Sequence, residues 1–270
     1  MTLTKEEIEN GLTHPCEDVR YDWVERMDFT PTPEQAEIGL NDAIQTIRVA
    51  WIMRLDWTPT PEQVERGTKD KDWGIRMSWA ERRDFIPTPE QVERGLRDKD
   101  WNIRKEWAQR KDYTPTTKQI DRGVCDDTWD VRLVWAERKD FTPTIRQIKR
   151  GLSDSEEKVR CAWAERMDFV PTQKQVKRGL LDKSSMVRSA WARRTDYDMP
   201  MDLVKRLLKD DCEDVVAACI KRVHMEWTDA QIQEGLLHPQ KVIREAWEYV
   251  AQRQNDDSIT ISEDDFSPSI

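Results

Sequence analysis

The sequence predicts an all-α protein, an α-solenoid built as a right-handed superhelix of about nine stacked helical hairpins. Three observations lead there. A 28-residue period runs through the chain, with Trp23, Trp51, Trp79, Trp107, Trp135, Trp163 and Trp191 at equal steps and Trp247 after one skipped step at Cys219; such periods mark stacked supersecondary units. Helix-start residues recur at the head of each unit. The composition is 37% apolar and 36% charged, which is thin for one deep core, yet 13 Trp in 270 residues is too aromatic for a disordered acidic chain. A shallow core repeated many times satisfies both figures.

Framed on Thr4, Thr32, Thr60, Thr88, Thr116, Thr144, Thr172, Pro200 and Thr228, the units are 4–31, 32–59, 60–87, 88–115, 116–143, 144–171, 172–199, 200–227 and 228–255, one solenoid domain followed by an acidic, flexible tail at 256–270. The first helix of a unit starts at a motif such as Thr60-Pro61-Glu62-Gln63, with Thr as N-cap, Pro at the first helical position and Gln closing a capping box. Inward residues four apart, such as Val92 and Leu96, make this helix about two turns long, and Gly67 or Gly95 marks its end. The second helix is expected to start at a capping Asp (Asp42, Asp70, Asp98, Asp126, Asp154, Asp182) and to run about three turns. At 100° per residue, Trp101, Ile103, Arg104, Trp107 and Ala108 share one arc, so the arginine faces inward with the apolar residues. An aromatic (Phe29, Trp57, Phe85, Tyr113, Phe141, Phe169, Tyr197) precedes the extended linker that the next Pro fixes. One such hairpin cannot bury its own apolar face, and a stack can.

With a net charge of -9, a pI near 5.1 and a mean hydropathy of -0.86, the chain offers no membrane span, and its first ten residues lack a signal-peptide pattern; a soluble, cytoplasmic protein is expected. Cys16, Cys125, Cys161, Cys212 and Cys219 form no C-x-x-C pair and read as reduced thiols, and no metal or cofactor is expected. No nucleophile elbow, Walker loop, zinc-protease motif or Gly-rich cofactor loop occurs, so an ordinary enzyme is not expected. His14 and His238 stand where other units carry the capping Asp.

Asp98 six residues before Arg104, and Asp70 before Arg76, resemble the Asp/Arg ladder of HEAT-like repeats. The string L-x-D-x-x-x-x-V-R-x-A-W-A is similar to the leucine-rich variant repeat. The resemblance covers residues 4–255 and departs from both families in its period and in placing Trp where they commonly have a smaller apolar residue. It implies a fold and a binding role. Members of the variant family can carry an iron-sulfur cluster on a separate cysteine motif, which this sequence lacks.

The Trp ladder reads as core. Trp73, Trp101 and Trp129 differ, because they occur only in three successive units, at a position filled elsewhere by Glu17, Gln45, Glu157, Ser185, Glu213 and Lys241. They form either an apolar ridge for a partner or local packing between repeats. With the variable second-helix residues Asn102, Glu106, Gln109, Asp130 and Arg193, they are the candidate contacts for a protein partner. Arg20 through Arg188 read as structural bridges to the Asp of their own or the neighbouring unit. A second ladder (Arg26 through Arg222) falls at the edge of the arc, each arginine except the last with an Asp two residues on, which favours local salt bridges. As phosphate contacts, Arg138, Arg166 and Arg194 would join Arg146, Lys149, Lys174 and Lys177 in a nucleic-acid interface. Charge also changes along the chain, from -8 over residues 1–100 to +5 over 146–222. That polarity suits a partner with matching patches or head-to-tail self-association. The expected function is a protein-binding adaptor, scaffold or inhibitor. The alternatives are a nucleic-acid binder resembling HEAT-like DNA glycosylases and an acidic mimic that blocks a nucleic-acid-binding protein. The eighth unit exchanges Thr, Gln, Gly, Arg, Trp and Asp for Pro200, Leu203, Leu207, Val216, Cys219 and His224, and is expected to pack as a bend, a junction or an apolar docking point.

Overall fold

The computed structural model describes residues 3–222 and 225–264, with side chains through 254, so His224 and residues 265–270 lie outside it. The described backbone contains helices and connecting turns with no strand. It divides into two units, residues 1–141 and 142–270. The first holds α1 (Lys5–Leu12), α2 (Glu17–Glu25), α3 (Pro33–Leu40), α4 (Gln45–Met53), α5 (Pro61–Gly67), α6 (Trp73–Glu81), α7 (Pro89–Gly95), α8 (Trp101–Gln109), α9 (Thr117–Gly123) and α10 (Trp129–Glu137). The second holds α11 (Ile145–Gly151), α12 (Glu157–Ala164), α13 (Gln173–Leu180), α14 (Ser185–Arg193), α15 (Met201–Leu207), α16 (Glu213–Ile220), α17 (Asp229–Leu236) and α18 (Lys241–Asp264). Consecutive pairs form hairpins. In the first unit α2, α4, α6, α8 and α10 pack side by side in that order, and in the second α12, α14, α16 and α18 do the same, each covered by the first helix of its own hairpin. This is an α-solenoid. α18 runs past residue 255, where the repeat ends, because no Gly or Pro interrupts 241–264.

The first helices start as the sequence predicts. Thr60 Oγ1 accepts from Gln63 N while Gln63 Oε1 accepts from Thr60 N, and the same reciprocal box closes at Thr4, Thr32, Thr88, Thr116, Thr144, Thr172 and Thr228. The second helices start later than predicted. The N-caps are Asp72 and Asp100, or Thr128, Glu156 and Ser184 in later repeats, two residues beyond the conserved-pattern Asp. That Asp tightens the preceding turn instead: Asp98 Oδ1 accepts from Asp100 N and Asp182 Oδ1 from Ser184 N. His14 and His238 replace it in kind, each accepting on Nδ1 from the amide two residues on.

Three side-chain devices hold the hairpins. Within a hairpin, the glycine of the first helix lies flat against the indole twelve residues later; a Cβ built on Gly39, Gly67, Gly95 or Gly123 would fall inside the ring of Trp51, Trp79, Trp107 or Trp135. Between hairpins, two arginine ladders reach across. Arg76 pairs with Asp98 of the next repeat through two hydrogen bonds of 2.6 and 2.9 Å, and Arg20–Asp42, Arg104–Asp126, Arg160–Asp182 and Arg188–Asp210 repeat it. Burial opposes ionisation of Asp98, but the Arg76 guanidinium and the Asp100 amide together outweigh it and hold the carboxyl below its ordinary range. The second ladder points backward. Arg110, fully buried, donates to Arg82 O (2.6 Å), Ala80 O (3.3 Å) and Phe85 O (3.1 Å) of the preceding repeat and forms a two-point pair with Asp112. Its guanidinium lies 4.6 Å from the Phe85 ring and 5.1 Å from the Trp107 ring. It thereby binds the open C-terminal carbonyls of the helix before it, where a cation is also favoured by the helix dipole.

A third ladder, on the first helices, has no counterpart among the sequence expectations. Glu37 accepts from Gln63 Nε2 and Arg66 of the next repeat, Glu65 from Gln91 and Arg94, and Glu93 from Gln119 and Arg122. Arg66 holds the Glu37 carboxyl down at about 2, and Arg94 with Lys69 does the same for Glu65.

The apolar substitutions of the eighth repeat pack into the interior of the second unit. Leu203, Leu207, Val216 and Cys219 are all buried in its core. Leu207 stands at the repeat's glycine position and Cys219 at its tryptophan position, and Cys219 sits in surroundings so apolar that desolvation pushes its thiol up to about 12. Val216 stands where the ladder arginine would be, and the aspartate it would have reached, 22 residues on, is His238.

Two outcomes test this scaffold. Gly95→Leu and Trp107→Cys, which copy residues 207 and 219, should each lower stability by roughly 2–4 kcal/mol, and the double variant should lose at least about 1 kcal/mol less than their sum; urea unfolding midpoints measure this. A carboxylate depressed on folding stabilises above its unfolded pKa and loses that contribution as pH falls through the folded value. Melting temperature should therefore drop between pH 4.5 and about 2, and the Glu37→Gln/Glu65→Gln double variant should show a flatter decline over that window.

Candidate interaction surface

The interior consumes several residues that the sequence offered to a partner. Arg138, Arg166 and Arg194 are predicted phosphate contacts, but they are buried at 0%, 0% and 2% exposure. Arg138 donates to Ala108 O, Arg110 O and Tyr113 and pairs with Asp140; Arg194 donates to Ala164 O and Phe169 O and pairs with Asp196; Arg166 pairs with Asp168. No phosphate reaches them without opening the core. The other four residues of that group, Arg146, Lys149, Lys174 and Lys177, are exposed on α11 and α13. Of the first-helix glutamates in the first unit, Glu37, Glu65 and Glu93 are spent on the third ladder, and Glu34, Glu62 and Glu90 are open to solvent.

The second-helix candidates divide by position. Trp73, Trp101 and Trp129 are the first residues of α6, α8 and α10, three neighbouring helices of one unit. Trp73 is 56% exposed and Trp101 37%, while Trp129 is half-buried. Neighbouring helix axes lie about 8–10 Å apart, so three indoles at one register form a row along the helix starts. Just behind them, Asp72 and Asp100 cap α6 and α8 by accepting from Gly74 N and Asn102 N at 2.8 Å. These caps fix the backbone that carries Trp73 and Trp101. Asn102 and Asp130 are half-buried beside the row, and Gln109 is exposed at the far end of α8. Glu106 is half-buried and paired with Arg83 of the preceding hairpin, so it contributes to packing between repeats. Arg193 is exposed but belongs to the second unit, against a shallow depression with Thr195, Asp214 and Lys221.

Among the described residues, no three His, Cys, Asp or Glu side chains gather where they could hold a metal ion, and no helix is long and apolar enough to cross a membrane. The concave feature of greatest chemical interest is a 320 Å³ pocket between α11 and α13, lined by Lys149, Lys174 and Arg178, by the exposed Ile145, and by Leu152 and the buried Val187 and Trp191.

No family model and no curated protein matches the chain. Among solved structures, it is similar to a leucine-rich repeat variant described as having a novel repetitive protein structural motif, at a TM-score of 0.57 and 19% sequence identity, covering 92% of this chain and 88% of that one. The likeness extends over almost the whole length of both and gives this chain the fold of a leucine-rich-variant-like helical repeat.

Proposed function

We propose that this chain is a protein-interaction solenoid, an adaptor, scaffold or inhibitor rather than an enzyme, and that it captures its partner on the row of Trp73, Trp101 and Trp129. One observation carries the reading. Eight indoles at the repeat's Trp position lie against a glycine, where the hairpin requires them, whereas these three sit at a helix-start position that the same chain fills with Glu17, Gln45, Glu157, Ser185, Glu213 and Lys241. Six other repeats of the chain do without tryptophan at that position. Aromatic side chains partly exposed on a rigid helical edge are the kind of residue that anchors protein interfaces, each contributing large area with few rotatable bonds. Asn102 and Asp130 flank the row and would supply polar contacts at its rim. The nucleic-acid reading loses the arginine edge on which it depended, since that ladder is internal.

The test uses residues the position already accepts. Replacing Trp73, Trp101 and Trp129 together by Gln, as at Gln45, should leave far-UV helicity and melting temperature close to the parent while abolishing co-purification of the native partner after nuclease treatment. A large loss of helicity would assign the three indoles to packing, and nuclease-sensitive capture would reopen the nucleic-acid reading through Arg146, Lys149, Lys174 and Lys177.

A further inference from the structure

In the second unit the third ladder loses its carboxylates to Lys149, Lys177 and Lys205, and of these Lys149 is the one whose spacing keeps both the Gln and the Arg that a glutamate would engage. In the first unit, Glu37, Glu65 and Glu93 each receive a Gln side chain 26 residues on and an Arg side chain 29 residues on. In the second unit, the same spacing joins Lys149 to Gln175 and Arg178. The two donors are retained and the acceptor has become a third cation. Gln175 Oε1 still closes its capping box with Thr172, but its amide NH2 has no hydrogen-bond acceptor among the described residues. Gln175 is half-buried, whereas Gln63, Gln91 and Gln119 are buried. Arg178 turns away to Ser153 Oγ at 2.7 Å, the one hydrogen bond of its guanidinium among the described residues.

The space that a glutamate would occupy is the 320 Å³ pocket between α11 and α13. Lys149, Lys174 and Arg178 line it, and its one carboxylate, Asp182, is already neutralised by Arg160. Ile145, Leu152, Val187 and Trp191 make its remaining wall apolar. The chain itself shows what this Gln–Arg pair binds when the pocket is filled.

We propose that this pocket is a recognition site for a carboxylate side chain of a partner protein, a glutamate flanked by aliphatic residues, entering where the repeat's own glutamate sits in the first unit. The carboxylate would accept from Gln175 Nε2 and the Arg178 fork and lie against Lys149, while an adjacent aliphatic side chain covers Ile145 and Leu152. The proposal rests on the reading of the chain as a protein-binding solenoid, at a site in the other unit from the tryptophan row.

The probe is a fluorescein-labelled pentapeptide with leucine on each side of a central glutamate, titrated against the full chain by fluorescence polarisation. Versions with central glutamine and central phosphoserine, and competition by inorganic phosphate, serve as controls. The proposal expects binding of the glutamate peptide, at least about tenfold weaker binding of the glutamine peptide, and a shift of the Gln175 side-chain NH2 resonance on addition of the glutamate peptide. Lys149→Glu should abolish binding and raise the melting temperature, because the restored carboxylate fills the pocket in cis. Arg178→Ala should also abolish it, and the triple Trp→Gln variant should bind as the parent does. Retained peptide binding with lost partner capture in that variant, or the reverse in Lys149→Glu, separates failure of one site from failure of the other. Equal binding of glutamate and glutamine peptides, no binding, or binding unaffected by Lys149→Glu would overturn the proposal. Tighter binding of phosphoserine or inorganic phosphate would make the pocket a phosphate site. Self-association of the parent that Lys149→Glu removes would assign it to a second copy, and either result overturns the partner assignment.

Discussion

The buried arginine that reaches backward from each second helix is the interaction on which the stacking depends. A short helix of nine residues exposes its last carbonyls at the end of every repeat, and with the next hairpin packed over them those groups are cut off from water. Arg82, Arg110, Arg138, Arg194 and Arg222 each satisfy them with a guanidinium from the following repeat. The charge itself is answered by an Asp two residues on in all but the last, and by two aromatic faces in most. Removing one partner from so buried a group costs about 3–5 kcal/mol. Because donor and acceptor belong to different repeats, no hairpin completes its hydrogen bonding alone, and the chain gains its cohesion from neighbour-to-neighbour links rather than from a central core.

The same logic explains why the eighth repeat can depart from the pattern without leaving the stack. Three of its devices are exchanged as pairs, while Arg222 keeps its carbonyl partners although His224 has replaced its Asp. Gly with Trp becomes Leu207 with Cys219, which shifts side-chain volume from one helix to the other and keeps the hairpin filled. Arg with Asp becomes Val216 with His238, so neither half of that ion pair is left behind. Thr with Gln becomes Pro200 with Leu203, and Leu203 joins the core. By contrast, the change from glutamate to Lys149 leaves Gln175 and Arg178 in place. Lys177 meets Leu203 and Lys205 meets Glu234 at the same spacings, so the retention of both donors beside Lys149 is what sets that pocket apart.

Much of this was legible before any coordinates. The 28-residue step, the Thr–Gln boxes and the inward Trp and Arg of the second helix all follow from local spacing, and the structure reproduces them. The Asp42-to-Asp182 series was misplaced by two residues because an Asp that closes a turn and an Asp that caps a helix use the same acceptor chemistry, and sequence does not separate them. The second arginine ladder looked like an edge because a helical wheel describes one helix, whereas Arg138 and Arg194 are enclosed by carbonyls and rings of the repeat before. The glutamate ladder needed a comparison across 26 and 29 residues, spacings that only make sense once the hairpins are stacked. For the candidate surface, the contrast between Trp101 and Trp107 was readable from the variability of the first position against the constancy of the second. The engagement of Glu106 by Arg83 was not, since it joins residues of different hairpins.

The account divides the tryptophans of one helix into a structural residue and a spare one six positions away. The most direct test is the thermal unfolding midpoint of Trp101→Gln set beside that of Trp107→Leu. The account predicts that Trp101→Gln melts within a degree or two of the parent, as surface substitutions do, and that Trp107→Leu melts many degrees lower, as expected for a large cavity against Gly95. Equal losses in the two variants would place Trp101 in the load of the fold and contradict the separation of scaffold from binding surface.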